Sequence, residues 1–155
     1  MSVQFMTADW AEAAKDALNA GPDEEARTQK IEKFWEWIDR AAEDVNCTLG
    51  LGIQGADSGS ATASDSEPDC LLMKLEQGKC TDTRLVAMAE AEQEATYLLA
   101  GDLDAWREIL GGYDMGRTIM YRKLVLERGN VLEFFRAAYY WTESLACIQR
   151  VPTTI

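Results

Sequence analysis

Apolar residues recur every three or four positions at both ends of the chain and alternate through much of its middle, so the sequence predicts helices flanking a strand-rich centre. Thr7 is placed to cap a first helix, and Asp9 and Glu12 suit the positive end of its dipole. Trp10, Ala13, Ala14, Ala17 and Leu18 share one face of that helix, and Gly21-Pro22 stops it. A second helix is predicted over residues 23–44, with the stripe Ile31, Phe34, Trp35, Ile38, Ala41, Ala42 and Val45. Because Trp35 belongs to that stripe, the run Phe34-Trp-Glu-Trp37 reads as core packing rather than as an aromatic binding box.

After Val45 the period changes. Residues 47–54 alternate like a strand, and 55–69 form a small, polar stretch read as a mobile surface loop. Strands are expected again over 70–77 and 79–87, with a turn at Gly78, and over 96–101. Asp102 can cap a short helix through Leu110, Gly111-Gly112 breaks it, and Asp114 can cap another containing Met115, Ile119 and Met120. Residues 123–128 read as a last strand, and Gly129-Asn130 turns into one long helix ending before Pro152.

That terminal helix shows a single narrow polar stripe: Glu133, Arg136, Tyr140, Glu143, Cys147 and Arg150. A helix lying on a sheet requires an apolar arc of roughly 100°. Here the arc covers most of the circumference, so a neighbouring helix, a second subunit or a ligand must cover the excess. Met115, Met120, Phe134, Phe135, Tyr139 and Trp141 form the strongest apolar concentration, readable either as ordinary core or as an adaptable ligand-binding lining.

Composition narrows the function classes. The 155 residues are 47% hydrophobic and 27% charged, the balance of one globular domain spanning 1–155, and no apolar run approaches a membrane helix. The start of the chain lacks the basic and apolar pattern of a signal peptide. A formal charge of −12 argues against nucleic acid as a partner and weakens attraction to anionic membranes. Residues 107–136 run against that balance, with six basic residues to four acidic ones. Cys47, Cys70, Cys80 and Cys147 form no Cys-x-x-Cys pair, so free thiols in a reducing compartment are expected and no metal site.

The chain has no histidine, which excludes Ser-His-Asp and Cys-His arrangements. The carboxylate pairs Asp23/Glu24/Glu25, Glu43/Asp44 and Asp102/Asp104 fall at helix ends, where capping explains them, so no catalytic residue is assigned. Gly50-x-Gly52-x-x-Gly55 matches the dinucleotide fingerprint as a string only. Its glycines lie inside a strand entered from a helix, and a polar loop follows where a helix must lead out.

The run Tyr97-Leu-Leu-Ala-Gly-Asp-Leu-Asp-Ala-Trp-Arg-Glu-Ile-Leu-Gly-Gly112, followed by Thr118-Ile-Met120, Lys123-Leu-Val-Leu126 and Gly129-Asn130, resembles the sterol carrier protein type-2 (SCP2) family in order and approximate spacing over residues 95–150. Arg122 stands where that family has glycine, and the strand before Gly129 is one residue longer. The resemblance implies an α+β fold: a curved, mainly antiparallel five-stranded sheet covered by helices, with a hydrophobic tunnel. It also implies non-catalytic binding or transport of an apolar molecule such as a fatty acid, acyl-CoA or sterol, with no cofactor. Carried over by position, the lining residues are Ile109, Met115, Ile119, Met120, Leu132, Phe135 and Tyr139.

The reading that follows is a cytoplasmic lipid-binding protein, not an enzyme, with no integral membrane association. The alternative is an accessory subunit that buries the same apolar surface in a homodimer or against a partner enzyme.

Overall fold

The computed structural model describes residues 2–21, 24–53, 69–120 and 123–154, without the side chains of Ala26, Ile119 and Met120. Helix α1 (Ala8–Ala20) starts where expected: Thr7 is extended and its hydroxyl accepts from the Trp10 backbone N–H. Gly21, at φ 75°, ends the helix with its own N–H on the Ala17 carbonyl. The second predicted helix is instead two, α2 (Glu24–Thr28) and α3 (Glu32–Ala42), separated by a turn before Ile31. The Trp35 indole N–H donates to the Arg27 carbonyl at 2.9 Å, fastening α2 back onto α3.

A five-stranded sheet follows, built from β2 (Cys47–Ile53), β3 (Cys70–Glu76), β4 (Lys79–Val86), β5 (Tyr97–Gly101) and β6 (Val125–Arg128). Its order is β4-β3-β2-β5-β6, and β2 and β5 are its only parallel neighbours among the described strands. The expected mainly antiparallel sheet is therefore present. Of the loop expected over 55–69, all but Asp69 lies outside the described residues. Two short strands, β1 (Val3–Gln4) and β7 (Thr153–Thr154), pair in parallel apart from the main sheet.

One face of the sheet presents Leu49, Leu51, Leu71, Met73, Leu75 and Leu99 to the principal core. Trp10 and Trp106 are buried in that core, and the Trp106 indole donates to the Gly52 carbonyl at 2.8 Å. At the β4 edge the Asn19 side chain mimics a strand: it accepts from Cys80 N–H at 2.7 Å and donates to Cys80 O at 2.9 Å.

The opposite face carries Cys70, Leu72 and Leu98 under a short helix the periodicity does not reveal, α4 (Met88–Glu94). Gly50 and Gly52 lie on this face. A Cβ on Gly50 would stand 2.7 Å from Leu98 Cδ1, and one on Gly52 would collide with the Met88 sulfur. These two glycines make room for packing, which gives the fingerprint-like string its physical reason; Gly55 lies outside the described residues.

Helices α5 (Leu103–Leu110) and α6 (Met115–Met120) follow their predicted caps. Asp102 accepts from Ala105 N–H at 2.7 Å, and Asp114 from Gly116 N–H at 2.7 Å. The long terminal helix is in fact α7 (Val131–Arg136) and α8 (Ala138–Gln149), interrupted at Ala137, whose φ of −107° and ψ of 27° depart from the helical well. The break changes the phase of α8. Tyr140, Ser144 and Cys147 face inward and are buried, although Tyr140 and Cys147 belong to the predicted polar stripe. No helix among the described residues is long and apolar enough to cross a membrane.

Candidate ligand-binding site

The α7–α8 break decides where the expected lining residues stand. Phe134 turns inward and stacks on Trp141, with ring planes 9° apart and centroids at 5.3 Å, and it meets Tyr97 of β5 at 5.4 Å, so α7 is anchored by an aromatic cluster. The side chains around it are left outside: Leu132 is 77% exposed, Tyr139 59% and Phe135 45%. Ile109 and Met115 are buried in the principal core instead. Gln149 ties their neighbourhood to α8 by donating to the Ile109 and Tyr113 carbonyls at 2.5 and 2.6 Å. The side chains of Ile119 and Met120 lie outside the described residues. The five expected residues whose side chains are described are thus divided between a packed interior and the outer face of α7 and early α8.

A cavity of about 340 Å³ opens on the other side of α8, bounded by the end of α1, by α3 and by the β3–β4 turn. Its interior is formed by Leu18, Ile38, Tyr140, Ser144 and Cys147, all buried. Arg27, Asp39, Gln77 and Lys79 stand exposed around it. The volume is at the small end of the ~300–1,000 Å³ range of ligand pockets, and an apolar interior with a few polar groups is their usual make-up.

Two polar contacts and one close backbone approach hold this cavity in shape. The Tyr140 hydroxyl donates to the Gly78 carbonyl at 3.1 Å, and Lys30 pairs with Glu143 at 2.7 Å. Gly78, at φ 79°, lets the turn approach α3 so closely that a Cβ there would stand 2.6 Å from the Ala42 methyl. Burial pushes the Tyr140 hydroxyl above its ordinary range, against a smaller opposing effect of its hydrogen bond with Ser144. It therefore stays neutral at physiological pH.

Sequence reasoning missed this cavity because Tyr140 and Cys147 read as the outward stripe of an uninterrupted helix. The signal that could have found it was the trio Tyr140, Ser144 and Cys147 at helical spacing, small and amphipathic enough to line a hollow.

A second depression, about 170 Å³, lies on the opposite sheet face among Thr48, Leu72, Lys74, Asp82, Thr83, Arg84 and Glu94. Arg84 pairs there with both Glu90 and Glu94 of α4. The Glu94 carboxyl is held below its usual range by a hydrogen bond with Glu90 and by Arg84. Its charges satisfy one another, which suits it to holding α4 more than to an apolar guest.

Burial raises the Cys47 thiol to about 11 and, with the nearby Asp69 charge, the Cys70 thiol to about 12. Neither is an activated nucleophile at neutral pH. Among the described residues no group of three or more Cys, Asp or Glu is arranged to hold a metal ion.

No family model matches the sequence, and no curated protein matches it. Solved structures do match. A crystal structure of sterol carrier protein 2 aligns over 96% of this chain and 99% of its own, with a TM-score of 0.68 and 21% identity. A conserved hypothetical protein of Thermus thermophilus, described provisionally as a sterol carrier protein, aligns over 99% of this chain and 94% of its own, with a TM-score of 0.66 and 22% identity. The chain has the sterol carrier protein 2 fold.

Proposed function

We propose that this chain binds and carries an elongated apolar small molecule, such as a fatty acid, an acyl-CoA or a sterol, without catalysing a reaction on it. The observation that supports this best is the cavity of about 340 Å³ beside Tyr140, where Leu18 and Ile38 share the interior with the Tyr140 and Ser144 hydroxyls, within a sterol carrier fold. Apolar burial contributes roughly 25 cal/mol per Å², so a hydrocarbon chain needs few polar contacts to bind usefully. In this reading the guest follows α8. It lies against Leu18, Ile38, Tyr140, Ser144 and Cys147 and extends onto the outer face of α7 and early α8 at Leu132, Phe135 and Tyr139. Arg27 and Lys79 at the cavity edge suit an anionic head group. Four cysteines kept as thiols fit a cytoplasmic setting.

The test is displacement of a fluorescent fatty acid, run beside organic extraction and mass analysis of the purified protein. Ser144→Phe fills the cavity, and Phe135→Asp places a charge on the outer face of α7. Each is expected to weaken binding by about tenfold or more, the equivalent of ~1.4 kcal/mol. Loss in Ser144→Phe alone would confine the guest to the cavity, and loss in Phe135→Asp alone would move it to the α7 face. Folded variants that both bind like the wild type, or a tight dimer without lipid, would reject the carrier and favour an accessory subunit.

A further inference from the structure

Between α1 and α3 the chain passes through residues 24–31 without burying a side chain. Every residue there whose side chain is described is exposed, Ile31 to 73%. The contacts that tie this segment to its neighbours are polar or cationic. The Trp35 indole donates to the Arg27 carbonyl at 2.9 Å, and the Arg27 guanidinium stands 5.4 Å from the centre of the Trp35 ring. Lys30 lies 4.7 Å from the centre of the Phe34 ring and pairs with Glu143 of α8 at 2.7 Å.

Both ends of the segment are placed to turn. Gly21, at φ 75°, meets open space where a Cβ would stand, and Ile31 enters α3 extended and without a side-chain cap. Local opening costs least in a segment that buries no apolar side chain.

The position of the segment gives such an opening a consequence. Gly21 and Arg27 border the cavity beside Tyr140, and Glu143, the partner of Lys30, lines it. The Glu143 side chain is only 13% exposed, so parting it from Lys30 takes a charge-assisted hydrogen bond from a carboxylate that water reaches poorly. That favours the latched arrangement.

We propose that residues 24–31 form a lid over the cavity, latched to α8 through Lys30 and Glu143, which opens to admit and release the guest. The inference rests on the carrier reading and adds how its site is controlled. Arg27 stands at the cavity edge in the latched arrangement, so an anionic guest binds that arrangement more tightly and draws the lid shut.

Trypsin tests it, because Arg27 and Lys30 place two cleavage sites in the segment. Where opening and closing outpace cleavage, the rate at those bonds follows the open population. Glu143→Gln keeps both sites and removes the ion pair, and is expected to raise cleavage there about threefold. Cleavage after Arg84, within β4, is the internal control and is expected to stay constant. Saturating palmitate is expected to slow cleavage at Arg27 and Lys30 in the wild type. In stopped-flow binding of a fluorescent fatty acid, Lys30→Ala is expected to raise entry and release rates together, with affinity changing less than either. If Glu143→Gln unfolds, Lys30→Ala, read at Arg27, takes its place in the trypsin assay.

Equal acceleration at all three bonds would indicate general loosening and overturn the lid. Unchanged cleavage at Arg27 and Lys30, or a Lys30→Ala variant that alters release alone, would do the same. Palmitate that binds without slowing cleavage would overturn the lid and leave the carrier reading standing. Palmitate that does not bind at all would overturn the carrier reading, and the lid's role with it, even where Glu143→Gln accelerates cleavage.

Discussion

Two thiols, Cys70 buried and Cys47 half-buried, make stability depend on alkaline pH. In the folded chain burial holds Cys47 near 11, and burial with the Asp69 charge holds Cys70 near 12, whereas an ordinary cysteine ionises near 9.0. Both folded values are raised, so their stabilising contribution is complete below pH 9 and shrinks as the pH climbs from about 9 toward 11–12, where the unfolded chain releases protons that the folded one keeps. The urea midpoint is expected to fall across that window. Replacing both Cys47 and Cys70 with Ala should flatten the fall, and equal slopes in variant and wild type would contradict the argument. The apolar character of these cysteines was legible from their sequence surroundings. The inward turn of Tyr140 and Cys147 was not, because it depends on the single backbone departure at Ala137, and alanine gives no sign of a break.

Elements announced by side-chain chemistry were the legible ones. Thr7, Asp102 and Asp114 each accept from a backbone N–H at the helix start their sequence position implied, and Asn130, read only as part of a turn, does the same for α7. Alternation gave β2 and β3 within a residue or two. Helix α4 was illegible for a physical reason: it buries Ala91 and leaves glutamates and Gln93 outside, so it lacks the large apolar stripe that periodicity detects. Its packing depends on what the sheet omits. Gly50 and Gly52 leave a shallow trough for Met88, Ala91 and Ala95. Gly52→Val should therefore push α4 off the sheet, since the new side chain meets the Met88 sulfur at once. Overpacking of this kind costs about 1–3 kcal/mol, or several degrees of Tm in a domain of this length. Adding Met88→Ala, which removes the obstructing sulfur, should return part of the loss. Failure of the double variant to recover would mean that the trough is not what the glycines provide.

At the scale of the whole molecule, fold and cargo are separable. The resemblance carried by Gly101-Asp102, Trp106, Gly111-Gly112 and Gly129-Asn130 was enough to anticipate the architecture, because each of these residues sets a cap, a turn or a core anchor. Ligand contacts leave no such mark: an apolar side chain reads the same whether it faces neighbouring side chains, a hollow or water. Linkage can separate those cases wherever on the molecule the guest sits. A guest that binds only the folded state at about a hundred times its Kd stabilises the protein by ~2.7 kcal/mol. For 155 residues that corresponds to roughly 5–10 °C in Tm. A long-chain fatty acid is expected to produce a rise of that size in the wild type and in Trp37→Ser, whose substitution lies outside the cavity, and little or none in Ser144→Phe. An equal rise in Ser144→Phe would show that the stabilising contact lies elsewhere, and no rise in the wild type, after lipid extraction and refolding, would remove fatty acids from the ligands this fold carries here.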